Sequence, residues 1–233
     1  PVGGAEVAKK VAEIMGVVAE ESEKKVARVI CGGDCDNAKQ KYEYQGIQDC
    51  KAAEMLAGGG KSCRFGCTGL GTCERVCPFD AIHVVNGVAV VDEEKCTACK
   101  KCIEACPKHI IELVPISRQV RVLCKNTDKG KAVVEVCKVG CIGCQKCVKA
   151  CQFDAMKFEN NLAYIDYSKC TNCMVCAEVC PTKTIYADFS KRKKAYIRED
   201  ECIGCTICKK QCKFDAIEGE LKQKHIVLED KCT

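Results

Sequence analysis

Two segments of the chain alternate between apolar and polar positions on either side of a two-residue turn. HVVNGVAVVD (83–92) places Asn86-Gly87 between two β-branched runs, and KFENNLAYID (157–166) places Asn160-Asn161 at the same point. Such alternation indicates strands with one buried face, and Asn-Gly between two such runs is a strong hairpin signal. The pattern therefore predicts two β-hairpins in similar surroundings.

Other segments carry different periods. GAEVAKKVAEIMG (4–16) has apolar residues at helical spacing, and GIQDCKAAEMLAGGGK (46–61) suggests a second helix ended by its three glycines. KKVARVIC (24–31), RQVRVLC (118–124) and KAVVEVC (131–137) read as strands. The chain is therefore expected to mix short helices with short strands, an α+β fold.

The hairpins belong to a repeat. Residues 73–111 and 147–185 align without gaps at an offset of 74, cysteine on cysteine, and residues 208–233 begin a third copy. Each copy joins a cysteine block, the tripeptide FDA, and the alternating hairpin segment. A repeat of this kind predicts tandem compact modules of similar structure.

Composition limits what can hold these modules together. The chain has 233 residues, no Trp, 5% aromatic and 30% charged residues, and 26 cysteines. Such a composition disfavours a large apolar core, so metal or disulfide must contribute. The sequence has no apolar run long enough to span a membrane, no visible signal peptide, no phosphate-binding glycine loop and no dinucleotide fingerprint.

Four roles are open to the thiols: disulfides, zinc ligands, reactive nucleophiles and iron ligands. Secreted disulfide scaffolds lack regular CxxCxxC triplets, and catalytic thiols are usually single and next to a base. Structural zinc favours two CxxC knuckles separated by a dozen or more residues. In CTNCMVCAEVCPT (170–182) the third cysteine follows after only two further residues. Zinc is therefore the weaker rival of iron.

Iron accounts for this spacing best. C-x2-C-x2-C-x3-C-P is the run of bacterial ferredoxins, in which three cysteines bind one [4Fe-4S] cluster and the fourth binds the partner cluster. The rule predicts four ligand sets. They are Cys63, Cys67, Cys73 and Cys106; Cys96, Cys99, Cys102 and Cys77; Cys141, Cys144, Cys147 and Cys180; and Cys170, Cys173, Cys176 and Cys151. Since an oxidised cluster with its thiolates carries about −2, four of them reverse the formal charge of +5. The basic composition is then no argument for nucleic-acid binding.

Some positions depart from the pattern. CRFGCTGLGTCERVCP (63–78) has longer spacings, so its loop is expected to be enlarged. Gln152 and Lys213 stand where proline usually follows the fourth cysteine, and their backbone N–H groups could bond a cluster sulfur and raise its potential. Further candidate ligands are Cys202, Cys205, Cys208 and Cys212 in the third copy, and Cys31, Cys35 and Cys50 in an additional site. The roles of Cys124 and Cys137 stay open between ligands and small buried side chains.

The string CGGDCDNAKQKYEYQGIQDCKAAEMLAGGGKSCRFGCTGLGTCERVCPFDAI (31–82), followed by VGCIGCQKCVKAC and NNLAYIDYSKCTNCMVCAEVCPTKTI, resembles the B subunit of the Rnf complexes of anaerobic bacteria. The resemblance covers essentially the whole chain. It implies an electron carrier on the cytoplasmic face of a membrane complex. This carrier would take low-potential electrons from reduced ferredoxin and pass them through a chain of [4Fe-4S] clusters to partner subunits. NAD would be reduced on another subunit, with Na⁺ or H⁺ translocation, so this chain would bind neither NAD nor flavin directly.

The expected organisation follows. Residues 1–62 form an N-terminal region that leads from a membrane anchor and iron–sulfur domain outside this sequence. Residues 63–115 form ferredoxin module 1, 116–190 linker strands and module 2, and 191–233 the start of a third module. The alternatives are a soluble polyferredoxin or wiring subunit of another oxidoreductase, and a zinc-binding interaction module.

Overall fold

The computed structural model describes residues 4–16 and 23–232. Within them the fold is α+β, as predicted: short helices and five two-stranded antiparallel sheets. The helices are α1 Gly4–Met15, α2 Cys50–Met55, α3 Thr72–Arg75, α4 Lys101–Ala105, α5 Gly130–Val136, α6 Lys146–Ala150, α7 Val175–Glu178 and α8 Ile207–Gln211, with a 3₁₀ turn at Phe189–Lys191. The strands are β1 Lys25–Val29, β2 Ile82–Val85, β3 Val88–Val91, β4 Ile111–Pro115, β5 Val120–Val122, β6 Met156–Glu159, β7 Leu162–Ile165, β8 Ile185–Ala187, β9 Ile217–Glu218 and β10 Ile226–Val227.

Both predicted hairpins form, with the predicted turns. In β2–β3 the ladder closes at Val85 opposite Val88, and in β6–β7 at Glu159 opposite Leu162. The four turn residues all have positive φ: Asn86, Gly87, Asn160 and Asn161. A two-residue hairpin turn of the type that matches strand twist needs this left-handed backbone at both positions.

A second small sheet completes each module. β4 pairs with β1, and β8 pairs with β5, so in each module the strand after the last cysteine pairs with a strand from before the first triplet. In both modules one further backbone hydrogen bond lies just beyond the paired strands. Ile30 N–H donates to Ile110 O over 2.7 Å, and Leu123 N–H donates to Thr184 O over 2.8 Å. Residues 25–30 therefore pack as part of the first module.

The strand predicted for residues 131–137 is wrong, because Gly130–Val136 form helix α5. Val133 N–H donates to Lys129 O and Cys137 N–H to Val133 O. Val133 is fully buried while Val134 is 57% exposed, so only one side of the helix packs. A short segment with several apolar residues fits either period, and tertiary packing decided between them. The helix ends at Val136, and Cys137 is its C-terminal cap residue.

The cores are small and include sulfur. The buried cluster of the first module consists of Val26, Ala27, Cys67, Cys73, Ala81, Ile82, Val88, Ala89, Cys96, Cys102, Ile110 and Ile111. The second module has a similar cluster that includes Cys124, Cys147 and Cys176. Thiols that occupy core positions leave little aliphatic volume, so burial of apolar surface alone supplies only part of the stability.

Helix α1 forms over the predicted segment. Across the described residues, none of the helices has the length and apolar character needed to cross a bilayer.

Candidate metal centres

All 26 cysteines lie within the described residues, and each is a free thiol. The disulfide interpretation is therefore not the one this fold realises. In each cysteine triplet the middle position is flanked on both sides by residues in the left-handed backbone conformation. These pairs are Ala98 and Lys100, Gly143 and Gln145, Asn172 and Met174, and Gly204 and Thr206; Gly69 and Gly71 form the equivalent pair in the enlarged loop. A backbone that changes hand at successive residues points its N–H groups into one concavity, which suits an anionic occupant such as an iron–sulfur centre.

Two cavities are lined by four thiols each, as predicted. One has Cys77, Cys96, Cys99 and Cys102 on its wall. The other has Cys141, Cys144, Cys147 and Cys180. We refer to them as the Cys77 cavity and the Cys141 cavity. In each, a triplet loop supplies three thiols and a fourth comes from the other half of the module.

A third cavity is lined by Cys50, Cys67, Cys73 and Cys106. Here the structure differs from the predicted set, because Cys50 takes the place expected for Cys63. The repeat offset explains the difference: Cys67 and Cys73 correspond to Cys141 and Cys147, and Leu70 stands where the second module has Cys144. The middle thiol of the triplet is missing, and helix α2 supplies Cys50 instead. We call this the Cys50 cavity.

A network of polar contacts holds Cys50 in place. The Asp49 carboxylate caps α2, accepting from Lys51 N and Ala52 N, and also accepts the Thr72 hydroxyl at 2.9 Å. Thr72 Oγ1 in turn accepts from Cys50 N at 2.7 Å. These hydrogen bonds, above all the one from Ala52 N, hold the pKa of Asp49 below its usual range. Because Thr72 begins α3, the network ties α2 to the loop that carries Cys67 and Cys73.

The fourth predicted set, Cys151, Cys170, Cys173 and Cys176, is also brought together; we call it the Cys151 group. Burial first, and then the neighbouring thiols Cys173 and Cys170, raise the pKa of Cys176 to about 12. Burial raises the pKa of Cys170, and the adjacent Cys173 and Cys151 add to the effect. These neighbours place the four side chains close to one another, and Cys147 of the Cys141 cavity also lies near Cys176.

A further cavity is lined by Cys31, Cys63, Cys124 and Cys137. We call it the Cys31 cavity. The ferredoxin spacing rule does not find it, since its thiols come from four separate segments and the rule assigns Cys63 to another set. Cys35, another candidate ligand, is exposed and lies outside this cavity. The signal that could have found the site is the gap-free repeat, extended upstream: Cys63 corresponds to Cys137.

The third copy is arranged less completely. Cys212 and Cys232 line one cleft together with Cys173 of the second module. Cys202, Cys205 and Cys208 lie on the usual triplet loop, and Cys202 Sγ accepts from His225 N at 3.4 Å.

Backbone donors reach sulfur at equivalent places in all three copies. Ala81 N–H donates to Cys77 Sγ, Ala155 N–H to Cys151 Sγ and Ala216 N–H to Cys212 Sγ, each over 3.4 Å. The donor in each case is the backbone N–H of the alanine in the FDA motif, so the same contact recurs in each copy. Hydrogen bonds to ligand sulfur stabilise the thiolate and tune a bound cluster.

The thiols fit an iron–sulfur cluster chemically. Burial raises the pKa of Cys73 to about 12 and that of Cys102 and Cys147 to about 11. Four buried thiolates would repel one another, so they need a positively charged core to compensate them. A single tetrahedral metal ion requires thiolates converging to about 2.3 Å from one point. Among residues 4–16 and 23–232, no three His, Cys, Asp or Glu side chains converge on a single ion. The thiols instead line the walls of shared concavities.

Comparison with known families agrees with this chemistry. The 4Fe-4S dicluster domain family matches residues 140–184 and 169–216, and the 4Fe-4S binding domain family matches residues 66–83 and 89–112. The matches cover the Cys77 and Cys141 cavities and the Cys151 group.

Three curated relatives are similar to most of the chain, and each is the B subunit of an ion-translocating complex. That of the Na(+)-translocating ferredoxin:NAD(+) oxidoreductase complex of Acetobacterium woodii is 54% identical over 81% of this chain and 57% of its own length. Its counterpart in the proton-translocating ferredoxin:NAD(+) oxidoreductase complex of Clostridium ljungdahlii is 46% identical over 79% of this chain and 66% of its own length. That of the ion-translocating oxidoreductase complex of Methanosarcina acetivorans is 45% identical over 79% of this chain and 70% of its own length. The chain thus spans from just over half to 70% of the length of these relatives.

Proposed function

The chain belongs to the family of B subunits of Rnf complexes, the ion-translocating ferredoxin:NAD⁺ oxidoreductases, and from this premise we propose that it receives low-potential electrons from reduced ferredoxin. It carries multiple [4Fe-4S] clusters, which supply reversible one-electron chemistry. The electrons pass on to partner subunits of the complex. NAD⁺ reduction takes place on another subunit.

The proposed ligands are the thiols of the three module cavities and of the Cys151 group. They are Cys50, Cys67, Cys73 and Cys106; Cys77, Cys96, Cys99 and Cys102; Cys141, Cys144, Cys147 and Cys180; and Cys151, Cys170, Cys173 and Cys176. Most of these come from the triplet loops and the enlarged loop, whose N–H groups point inward, and Cys50 comes from helix α2. In each set, one of the four thiols is contributed by the other half of the module.

The observation that carries the proposal is that a single short helix places cysteines at two neighbouring sites. Helix α3 has Cys73 in its first turn and is followed closely by Cys77, so one turn of helix faces both the Cys50 and the Cys77 cavities. Helix α6 does the same for the second module with Cys147 and Cys151. Residues four apart on a helix are separated by about 6 Å along its axis. Electron tunnelling falls steeply with distance, so paired sites this close favour relay of electrons over storage at isolated centres.

The location and the partners form part of the same proposal. The names of the relatives describe ion-translocating complexes, which supports a place in a membrane complex. We place the chain on the cytoplasmic side, where soluble ferredoxin can reach it. Two observations support ferredoxin as the donor. Two of the relatives are named for it, and two-cluster modules suit a one-electron partner of low potential.

The test uses the full-length protein, purified without oxygen. Iron and acid-labile sulfide are quantified, the clusters are titrated by EPR at controlled potentials, and reduction by ferredoxin is followed by stopped-flow absorbance. We expect several low-potential [4Fe-4S] signals and rapid reduction by ferredoxin. A protein that holds zinc in place of iron, or one with intact clusters that ferredoxin fails to reduce, would refute the proposal. Separation of the protein from the membrane fraction and from other subunits under mild conditions would favour a soluble polyferredoxin.

A further inference from the structure

The Cys31 cavity is built from equivalent parts of the two modules. At the repeat offset of 74, Cys63 corresponds to Cys137. Cys31 and Cys124 each lie two residues beyond the strand that leads into a module, β1 and β5 respectively. Each module thus contributes one thiol from its leading strand and one from just before its first triplet position. Four thiols placed in this matched way indicate a site formed at the junction of the modules.

Hydrogen bonds place this cavity between two of the proposed cluster sites. Cys67 N–H donates to Cys31 Sγ over 3.4 Å, and Cys141 N–H donates to Cys124 Sγ over the same distance. Cys67 and Cys141 are repeat equivalents and belong to the Cys50 and Cys141 cavities. The Cys31 cavity therefore adjoins one site of each module.

A buried positive charge faces the cavity. Lys61 lines it and is only 6% exposed. Its ammonium donates to Gly33 O at 2.7 Å and Gly87 O at 2.6 Å. Among the ion pairs of the described residues, none includes Lys61. A buried charge without a counter-charge is costly, so an anionic occupant of the cavity would stabilise it.

Two glycines form part of the wall among the four thiols. A Cβ added at Gly33 would lie 3.4 Å from Cys137 Sγ and 3.7 Å from Cys31 Sγ, and one added at Gly66 would lie 3.6 Å from both Cys31 Sγ and Cys63 Sγ. The two glycines therefore keep side chains out of the space among the thiols. The same kind of lining, four thiols around one concavity, occurs in the three module cavities.

We propose that Cys31, Cys63, Cys124 and Cys137 bind an additional [4Fe-4S] cluster that connects the cluster pair of the first module to that of the second. All four thiols lie outside the residues matched by the iron–sulfur families. The role of this cluster as a connection rests on the proposed function. When the cluster accepts one electron from a neighbouring reduced cluster, that neighbour is oxidised by one electron, and no ligand bond forms or breaks.

The first test removes two of the four thiols together, because three remaining thiols could still retain part of a cluster. In the full-length protein, the double variant Cys124→Ala/Cys137→Ala is compared with wild type and with Cys35→Ala. Cys35 is a matched control because it is exposed and lies outside the cavity. We expect the double variant to lose about four iron and four sulfide per chain, the content of one cluster. The control should lose none.

The second test leaves every thiol in place. Lys61→Met removes the buried charge while keeping a similar length of side chain. Because reduction makes a cluster more negative, loss of a nearby cation should shift one midpoint potential downward in an EPR titration, with unchanged iron content. Lys131→Met removes an exposed lysine that does not line the cavity and should shift none.

The outcomes separate this inference from the proposed function. The additional cluster is refuted if the double variant keeps all its iron and sulfide, or if the wild-type cavity holds one zinc ion. In either case, module clusters that ferredoxin still reduces would leave the proposed function intact. If the double variant loses all iron through misfolding, Lys61→Met decides. A lowered midpoint in a signal other than the one that Cys50→Ala alters supports the additional cluster, and any other result refutes it.

Discussion

Gly69 is the position where the backbone of the enlarged cysteine loop is most constrained. It has φ +81°, and a Cβ there would lie 2.5 Å from Gly87 O and 3.0 Å from Gly87 C. Gly143, its equivalent at the repeat offset, has φ +67°, but a Cβ there would meet Asn161 O only at 3.3 Å. Ala98 holds a similar left-handed conformation in another loop, so alanine is tolerated where space allows. The two glycines thus share their backbone requirement and differ in the room around them.

Alanine at either glycine should cost about 1–2 kcal/mol for the left-handed backbone. At Gly69 the contact with a backbone oxygen cannot be relieved by a side-chain rotation, and should cost about 1–3 kcal/mol more. For a chain of this size, 1 kcal/mol shifts a melting temperature by about 2–4 °C. We therefore expect Gly69→Ala to melt roughly 2–12 °C below Gly143→Ala.

The assay compares the melting of both cluster-loaded variants, without oxygen, by far-UV circular dichroism and visible absorbance. Both are scanned at one rate, because cluster loss makes unfolding irreversible and the apparent midpoint scan-dependent. Wild type serves as the reference for the shared backbone cost. Equal melting temperatures for the two variants would refute the packing of the enlarged loop against the β2–β3 turn.

Three further predictions concern the clusters. Cys50→Ala should alter one EPR signal of the first module and lower its iron content by up to about four per chain, whereas Cys63→Ala should leave that signal intact; the same altered signal in both variants would contradict the Cys50 cavity. Gln152→Pro removes a backbone N–H and should lower one midpoint potential, while Gln152→Ala keeps the N–H and removes only the side-chain amide that bonds Lys213 O; equal midpoints in the two variants would remove the proposed donor. Chelation of iron under reducing conditions should abolish most of the far-UV signal, since ligand binding and folding are coupled in modules with so little aliphatic core; a fold retained without iron would contradict that coupling.

Local chemistry allowed much of the fold to be predicted from the sequence. The Asn-Gly and Asn-Asn hairpins depend on turn residues that accept positive φ, and these turns formed at the predicted positions. The α+β class followed from short elements between cysteine blocks. The segment at 131–137 was predicted wrongly because so short a run with several apolar residues fits both a strand and a helix, and only the burial of Val133 against its neighbours selects the helix.

For the candidate sites, the sequence by itself determined where thiols follow one another closely enough to surround a cluster, because a triplet loop is a local structure and its spacing is visible along the chain. The fourth ligand of each predicted set could also be predicted from the sequence. It lies four residues after the last cysteine of the other triplet in the module, and this spacing recurs in the repeat. Only the tertiary structure decided that Cys50 completes the first cavity and that Cys31, Cys63, Cys124 and Cys137 face one another. The approach of Cys31 and Cys124 depends on the pairing of β1 with β4 and of β5 with β8. The repeat offset relates Cys63 to Cys137, but no spacing along the chain shows that strands so far apart bring these thiols to one cavity.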